Sequence, residues 1–430
     1  MNNHCGWIAL AGTAAPRARL HGNQQADFLI IGAGITGLSA AHALAEAHPQ
    51  ARIVVLDRQR AAQGASARNS GFAVAHEHPA ALELIGQPGF AGYQADTAIS
   101  RAANDALRQR LARLAIDCEF RDDGYLFAVN DPAKLTDIDA TLATLRAVGA
   151  QARFLQGAAL QQRLGTGHYQ VAIECAGGNA LLQPAKYVRG LLDTLPASVT
   201  VHEHTAVTTL ERLASGGLRA VAAHGSVTAP RVLVCLNAFI ARSGLAASAT
   251  FPMELSASLT RPLSEQELGD VTPWGVLSTR PLGATVRLTP DRRVMIRNTA
   301  EYRGTDLSDA QLLQRRQHHL RGLQRRFPWL TAEDIRYTWT GHLSASRSGQ
   351  PYFAEVERGL YAVAGCNGSG VARGTLWGQL LAELASDQRS PLLDAVLDRA
   401  RPGWLPPKPL LDIGAWLRMR VETVRARSEI

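Results

Sequence analysis

Lysine is almost missing from this chain: Lys134, Lys186 and Lys408 are the only three among 45 basic residues, so the other 42 are arginine. Cysteine is also scarce. Cys5, Cys118, Cys175, Cys235 and Cys366 are scattered with no C-x-x-C pair, which argues against a disulfide framework or a cysteine zinc site and suits reduced thiols. No apolar run approaches the length of a membrane-spanning helix, and no basic-then-apolar leader pattern opens the chain. The expected location is therefore cytoplasmic. Blocks of consecutive basic residues are absent too. The formal charge of +8 is spread along the whole chain, which argues against a nucleic-acid partner and reads as a bias towards arginine. His318 and His319 are adjacent on a predicted helix and so face different sides, which argues against a metal pair and for solvated surface; no metal site is expected.

What is present organises itself around one stretch. With 430 residues, 46% of them hydrophobic and 19% charged, the chain has the composition of a globular enzyme of two domains or one interleaved pair. Phe28 to Ile31 reads as a buried parallel strand and runs straight into Gly32-x-Gly34-x-x-Gly37 and a helix of small residues, Leu38 to Ala47. Gly32 allows the tight turn, Gly34 lets the backbone approach a pyrophosphate, and Gly37 permits close helix–strand contact. The helix N-terminus offers free N–H groups to phosphate, with Ile35 and Thr36 in its first turn. A second strand, Arg52 to Leu56, ends in Asp57, 25 positions after Gly32 and near the spacing of a ribose-binding acid, with Arg58 next to it. Together these predict a dinucleotide-binding unit over residues 27 to 58.

Residues 1 to 26 show no clear periodicity and read as an arm that packs on the surface or stays loose. The run Gly64-Ala65-Ser66-Ala67-Arg68-Asn69-Ser70-Gly71-Phe72 is small and polar, and fits either a segment that follows a flat ring closely or a surface loop. Helices are predicted over about 88–116 and 133–148, a strand at Gly124 to Val129, and a helix from Pro184. Val199 to Leu210 and Leu218 to His224 read as strands, and Arg231 to Asn237 as a buried strand ending in a polar residue, Asn237, where a cofactor could sit. Arg287 to Arg297 has the pattern of a hairpin about Pro290-Asp291, and Ser308 that of the cap of a helix ending at Phe327-Pro328. Gly359 to Val371 is a second strand entering a glycine cluster, followed by a helix from Thr375 to Ala385; two such elements over 300 residues apart suggest one cofactor gripped by both ends of the chain. The last thirty residues turn proline-rich (Arg401-Pro402, Pro406-Pro407-Lys408-Pro409) and finish in a basic segment. A solvated terminal helix packed on the body is the preferred reading of that segment; an amphipathic helix for a membrane surface or a partner is the other.

In order along the chain, four features carry a family resemblance: Gly32-x-Gly34-x-x-Gly37, Gly64 to Gly71, Phe327-Pro328-Trp329-Leu330, and Trp339-Thr340-Gly341 leading to Gly365-Cys366-Asn367-Gly368-Ser369-Gly370. Over residues 27 to 390 they resemble the flavoprotein oxidoreductases of the D-amino-acid oxidase and sarcosine oxidase type, in particular the bacterial branch holding gamma-glutamylputrescine oxidase and L-pipecolate oxidase. The resemblance implies an α/β fold with an α+β substrate part. A Rossmann-like FAD-binding domain (27–80, 173–245 and 335–395) would be interleaved with an antiparallel-sheet substrate domain (81–172 and 246–334), with an arm at 1–26 and a tail at 396–430. It implies that flavin N5 takes a hydride from a carbon bearing an amine, giving an imine that water hydrolyses. Asp57 would hold the adenosine ribose, with Arg58 next to it among the cofactor-binding residues, and Val207 would meet the adenine. Ser66, Arg68, Asn69, Ser70 and Gly71 would line the pyrophosphate and flavin. Gly368 and Gly370 would approach the flavin's pyrimidine edge, with Gly365, Asn367, Ser369 and Val371 beside them as cofactor-binding residues. Three departures matter. Gly341 to Ser348 holds no cysteine and Asn69 stands where relatives with covalent flavin have histidine, so FAD is expected to be non-covalent. No lysine occurs between Lys186 and Lys408 to assist oxygen, which leaves oxygen or a quinone as the acceptor. Ser348 replaces an aspartate of several relatives.

Such chemistry needs an oriented neutral amine more than a nucleophile. An arginine commonly fixes a substrate carboxylate, and Arg287 and Arg297 are the candidates, against the plain reading of surface arginines. His76, His78, His342, Tyr302 and Trp339 are candidates for the substrate side. The expected partner is a small amine or amino acid. A nicotinamide-linked reductase, and a non-catalytic module working through its basic tail, are the alternatives from other classes.

Overall fold

The computed structural model describes residues 4–12, 14–135, 137–214, 216–280, 282–400, 402–427 and 429, with Lys134 by its backbone alone; Arg401 of the proline-rich reading lies outside them. The fold is a mixed α/β arrangement of two principal sheets. The first has six strands in the order Tyr352–Glu357, Leu360–Ala364, Arg231–Val234, Phe28–Ile31, Ile53–Leu56 and Val199–His202. All pairings are parallel except the edge strand Tyr352–Glu357. Phe28–Ile31 and Ile53–Leu56 are buried at every position, as strands covered on both faces must be. The helices Ile35–Ala47 and Ala372–Ala385, which follow the two glycine clusters, pack on one another on one face of this sheet.

The second sheet has eight strands, running from Ile335–Ser346 through Thr250–Thr260, Val294–Tyr302, Thr285–Leu288, Trp274–Leu277, Tyr125–Val129 and Val171–Ala176 to Gln151–Gln156. It is antiparallel apart from the Trp274–Leu277/Tyr125–Val129 pair. The strand Ile335–Ser346, grouped with the FAD domain from sequence, bonds along its length to Thr250–Thr260 in this sheet, as Val171–Ala176 does to its own neighbours. The expected hairpin is present, pairing Thr285 with Arg297 and Arg287 with Met295. Ser308 caps the helix Asp309–Arg326 through the Gln311 N–H, and Phe327 closes it.

Three expectations are corrected. Val199 to Leu210 is not one strand: Val199–His202 lies in the parallel sheet and Val207–Arg212 in a separate four-stranded one, because the chain turns through His204 at a left-handed φ of 51°. The N-terminal segment is not loose. It forms a helix, Gly6–Ala11, with Trp7 1% exposed, and a strand, Gly22–Gln25, parallel to Gly225–Ala229. His318 is exposed as expected, but His319 is fully buried, bonded to Ser258 Oγ (2.8 Å) and Ser256 Oγ (3.3 Å), and burial lowers its pKa to about 3. Among the described residues no helix is long and apolar enough to cross a membrane.

Candidate active site

Both glycine clusters open onto one cavity of about 1350 Å³ between the sheets. At the first, a Cβ on Gly37 would sit 1.9 Å from the Gly32 carbonyl oxygen, so only glycine lets the helix start this close to the strand. Gly32 itself holds φ +110° against Cys235. Asp57 braces this loop, accepting from Ala33 N–H (2.9 Å) and Gln59 N–H (2.8 Å). Burial raises its carboxyl above the ordinary value and those two N–H bonds pull it back. Each oxygen still has lone-pair capacity for a hydroxyl.

The small-residue run is held from outside by its own carbonyls. Cys5 Sγ donates to Ala67 O (3.6 Å), Trp339 Nε1 to Arg68 O (2.9 Å), and Trp7 Nε1 to Asn69 O (2.9 Å). Arg287 Nη1 donates to Ser70 O (3.0 Å), to Gly71 O (3.5 Å) and to Leu182 O (2.8 Å). Within the run, Asn69 Nδ2 donates to Ser66 O and its Oδ1 accepts from Gly71 N–H. Ser66 Oγ accepts from Ile35 N–H (2.9 Å), joining the run to the first helix. At the second cluster Asn367 is a brace: its Oδ1 accepts from Ser346 N–H (2.8 Å) and its Nδ2 donates to Gly365 O (2.7 Å) and Gly349 O (2.9 Å). Gly368, at φ +94°, faces open space.

The cavity brings together most residues singled out from sequence: Gly32, Gly34, Ile35, Thr36, Asp57, Arg58, Ser66, Arg68, Asn69, Ser70, Val207, Asn237, Asn367, Gly368, Ser369, Gly370 and Val371, with Arg297, His342, His78 and Trp339. Its lining does not include Gly37, Gly71, Gly365, His76, Arg287 or Tyr302. Arg287 is 1% exposed and engaged by the carbonyls above and by the Trp7 ring, 5.2 Å away. His76 is fully buried behind the wall, contacting Asn179 Nδ2 (3.3 Å) and Val148 O (3.2 Å). Tyr302 donates to Asp412 (2.8 Å).

Arg297 is the unusual group. Its Nη2 donates to Thr285 Oγ1, and among the described residues its buried Nη1 has no partner and no carboxylate pairs with it. Burial alone lowers its pKa to about 10. His342 lines the cavity beside Phe239 (5.3 Å), and burial lowers its pKa. On the neighbouring strand Glu254 is 2% exposed, and burial lifts its carboxyl to about 7. Glu254, Phe239 and Trp7 escaped the sequence reading. Phe239 lies under its near neighbour Arg242 (4.8 Å) and under Arg58 (4.5 Å), the latter a contact between segments far apart in the chain. No local pattern marks such residues, since each acquires its role through a partner distant in sequence.

A family model described as FAD dependent oxidoreductase matches residues 27–384. The chain belongs to that family. Gamma-glutamylputrescine oxidoreductase of Escherichia coli (strain K12) is 29% identical over 389 residues, 88% of either chain. Glycine oxidase from Geobacillus kaustophilus superposes with a TM-score of 0.71 at 17% identity, over 86% of this chain and 96% of its own. L-alpha-glycerophosphate oxidase from Mycoplasma pneumoniae, a structure with FAD bound, gives a TM-score of 0.69 at 12% identity, over 86% and 98%. The mixed α/β fold expected from sequence is the fold of these proteins, and FAD is the cofactor in place of a nicotinamide. The residues present fit it: a Cβ on Gly34 would crowd Ser66 Oγ at 2.7 Å at the mouth of the helix, while Gly368 leaves its side open. Asp57, the Gly32–Gly37 loop and the clamped run would hold its adenosine and pyrophosphate half, and the second cluster its ring.

Proposed function

We propose that this FAD-dependent oxidoreductase oxidises the C–N bond of an amine that also carries a carboxylate: an amino acid, an imino or N-substituted amino acid, or a gamma-glutamyl polyamine. When bound, the flavin supplies the hydride acceptor for the carbon bearing the nitrogen. The observation that carries the reading is Arg297, a guanidinium on the cavity wall whose buried Nη1 has no partner, and which has no acidic partner, among the described residues. A planar fork in that state is matched by a substrate carboxylate, whose binding compensates a desolvated charge. The flanking Thr285 hydroxyl holds the guanidinium in place. His342 and His78 have pKa values lowered by burial, the latter to about 4, so both meet the substrate as neutral imidazoles and spare its amine a neighbouring positive charge. The Escherichia coli relative's name and the amino-acid chemistry named for glycine oxidase agree with this substrate class.

The flavin is non-covalent in this reading. Cys366, the cysteine of the second cluster, is a thiol held protonated by burial and donates to Ser344 O (3.7 Å). No described lysine lines the cavity, so a quinone acceptor stands beside oxygen. One experiment addresses all three points. Purified enzyme is mixed anaerobically with amino acids, N-alkyl amino acids and gamma-glutamylated polyamines, and with matched amines lacking the carboxylate; loss of flavin absorbance is followed, then oxygen or a soluble quinone is admitted. Bleaching confined to carboxylate-bearing amines is expected, with flavin left in the supernatant after acid precipitation. Equal bleaching by the carboxylate-free amines would overturn the substrate class.

A further inference from the structure

The C-terminal helix Leu410–Ala426 packs on the strand Val294–Tyr302 through one narrow face, where Leu411, Ala415, Met419, Glu422 and Ala426 are buried or half-buried. Its opposite face carries Leu410, Ile413, Leu417, Val421 and Val424, which are 63, 54, 53, 48 and 73% exposed. Their spacing of three and four residues aligns them in a single stripe pointing away from the body. Seven of the twelve large apolar side chains exposed among the described residues fall between Trp404 and Val424. A patch this concentrated marks a contact surface rather than chance exposure.

The charges beside the stripe say what covers it. Arg418 and Arg425 flank it on one side, and Arg420, stacked 4.6 Å over the Trp416 ring, on the other. Lys408 and Arg427 are exposed at the two ends. The only two acids of this segment are turned towards the body: Asp412 accepts from Tyr302, and Glu422, its side chain 15% exposed, from Arg425. An apolar stripe about 21 Å long between rows of arginine, with a tryptophan at the boundary, suits a helix lying flat in the interface of an anionic bilayer. A second copy of the same helix fits worse, since its flanking arginines would oppose like charges along the seam. We propose that the protein docks on anionic phospholipid membranes through this face. Docking would also set the catalytic cavity at the membrane, because Glu429, just beyond the helix, accepts from Ser278 on the cavity lining.

The test uses flavin-loaded full-length protein sedimented with vesicles of phosphatidylcholine alone or mixed with phosphatidylglycerol. Binding is expected to the mixed vesicles only and to be reversed by salt, since surface attraction is screened within a Debye length. Arg418→Glu/Arg420→Glu/Arg425→Glu should weaken it by about a hundredfold or more, and Leu417→Ser/Val421→Ser should abolish it, each keeping full flavin absorbance and turnover of a soluble substrate. Absence of binding, or equal binding to both vesicles, would overturn the proposal. So would a dimer in light scattering that Leu417→Ser/Val421→Ser splits, which would make a second copy the occupant.

Discussion

Arg287 and Arg297 are ten positions apart on one hairpin and indistinguishable in sequence, yet one ties backbone carbonyls and the other faces the cavity. The difference comes from neighbours: Gly71, where a Cβ would lie 2.3 Å from Arg287 Nη1, makes room for the first guanidinium, and nothing comparable engages the second. Replacing Arg297 with Met should raise KM for a carboxylate-bearing amine about a hundredfold while flavin content stays unchanged; an unaltered KM would remove Arg297 from substrate binding. Arg287→Met should instead lower stability and flavin occupancy together. Glu254 gives a prediction in pH. Its folded pKa, about 7, is raised above the ordinary value by burial, so the folded state holds a proton that the unfolded chain releases. The associated stability is full below the unfolded value and is lost as pH rises through 7, by about 3 kcal/mol in all. Glu254→Gln lacks this loss. Its melting temperature should gain on the parent's between pH 6 and pH 8, and a constant difference in calorimetry would contradict the assignment.

The strand–glycine–helix units were legible at the level of elements because each is local: a buried apolar run, glycines at fixed offsets, a helix of small residues. The crossing of the two following helices was not legible, since it depends on residues over 300 positions apart. At that crossing a Cβ on Gly378 would lie 2.3 Å from Thr36 O and 2.7 Å from Ser39 Cβ. Backbone cannot yield as a side chain can, so Gly378→Ala must push the helices apart, at a cost of about 1–3 kcal/mol. Lower flavin occupancy in the purified variant, read from the ratio of visible to ultraviolet absorbance, is the expected result. Gly92, inside the helix Phe90–Leu114 with nothing within 4 Å, is the control: alanine there should be neutral or slightly stabilising. The break between Val199–His202 and Val207–Arg212 was hidden for a different reason. Only a left-handed His204, which sequence does not announce, divides what reads as one strand between two sheets.

For the molecule as a whole, the N-terminal helix inserts where sequence suggested an arm packed on the surface or loose. Trp7 meets Trp339 edge-on at 5.9 Å, lies under Arg287, and its carbonyl accepts from Gln183 (2.8 Å). It therefore ties two strands of the eight-stranded sheet to the residue that caps the helix Pro184–Asp193, and a short segment with one tryptophan and no periodicity could not reveal that. Trp7→Ala should cost about 3–5 kcal/mol, seen as a lower melting temperature and coincident flavin release; a melting temperature equal to the parent's would show that the helix is an ornament of the surface. The carbonyl clamp on residues 67–71 also bears on the order in which the protein matures. The groups that hold it come from positions 5, 7, 287 and 339, so the run stays incompletely fixed during synthesis until nearly four-fifths of the chain has emerged. Contacts of such separation form late because the long loops must close first. With this run as part of the FAD cradle, capture of FAD is expected only in a nearly finished molecule, and a ribosome-bound N-terminal fragment carrying the complete Gly32–Gly37 motif should still be colourless.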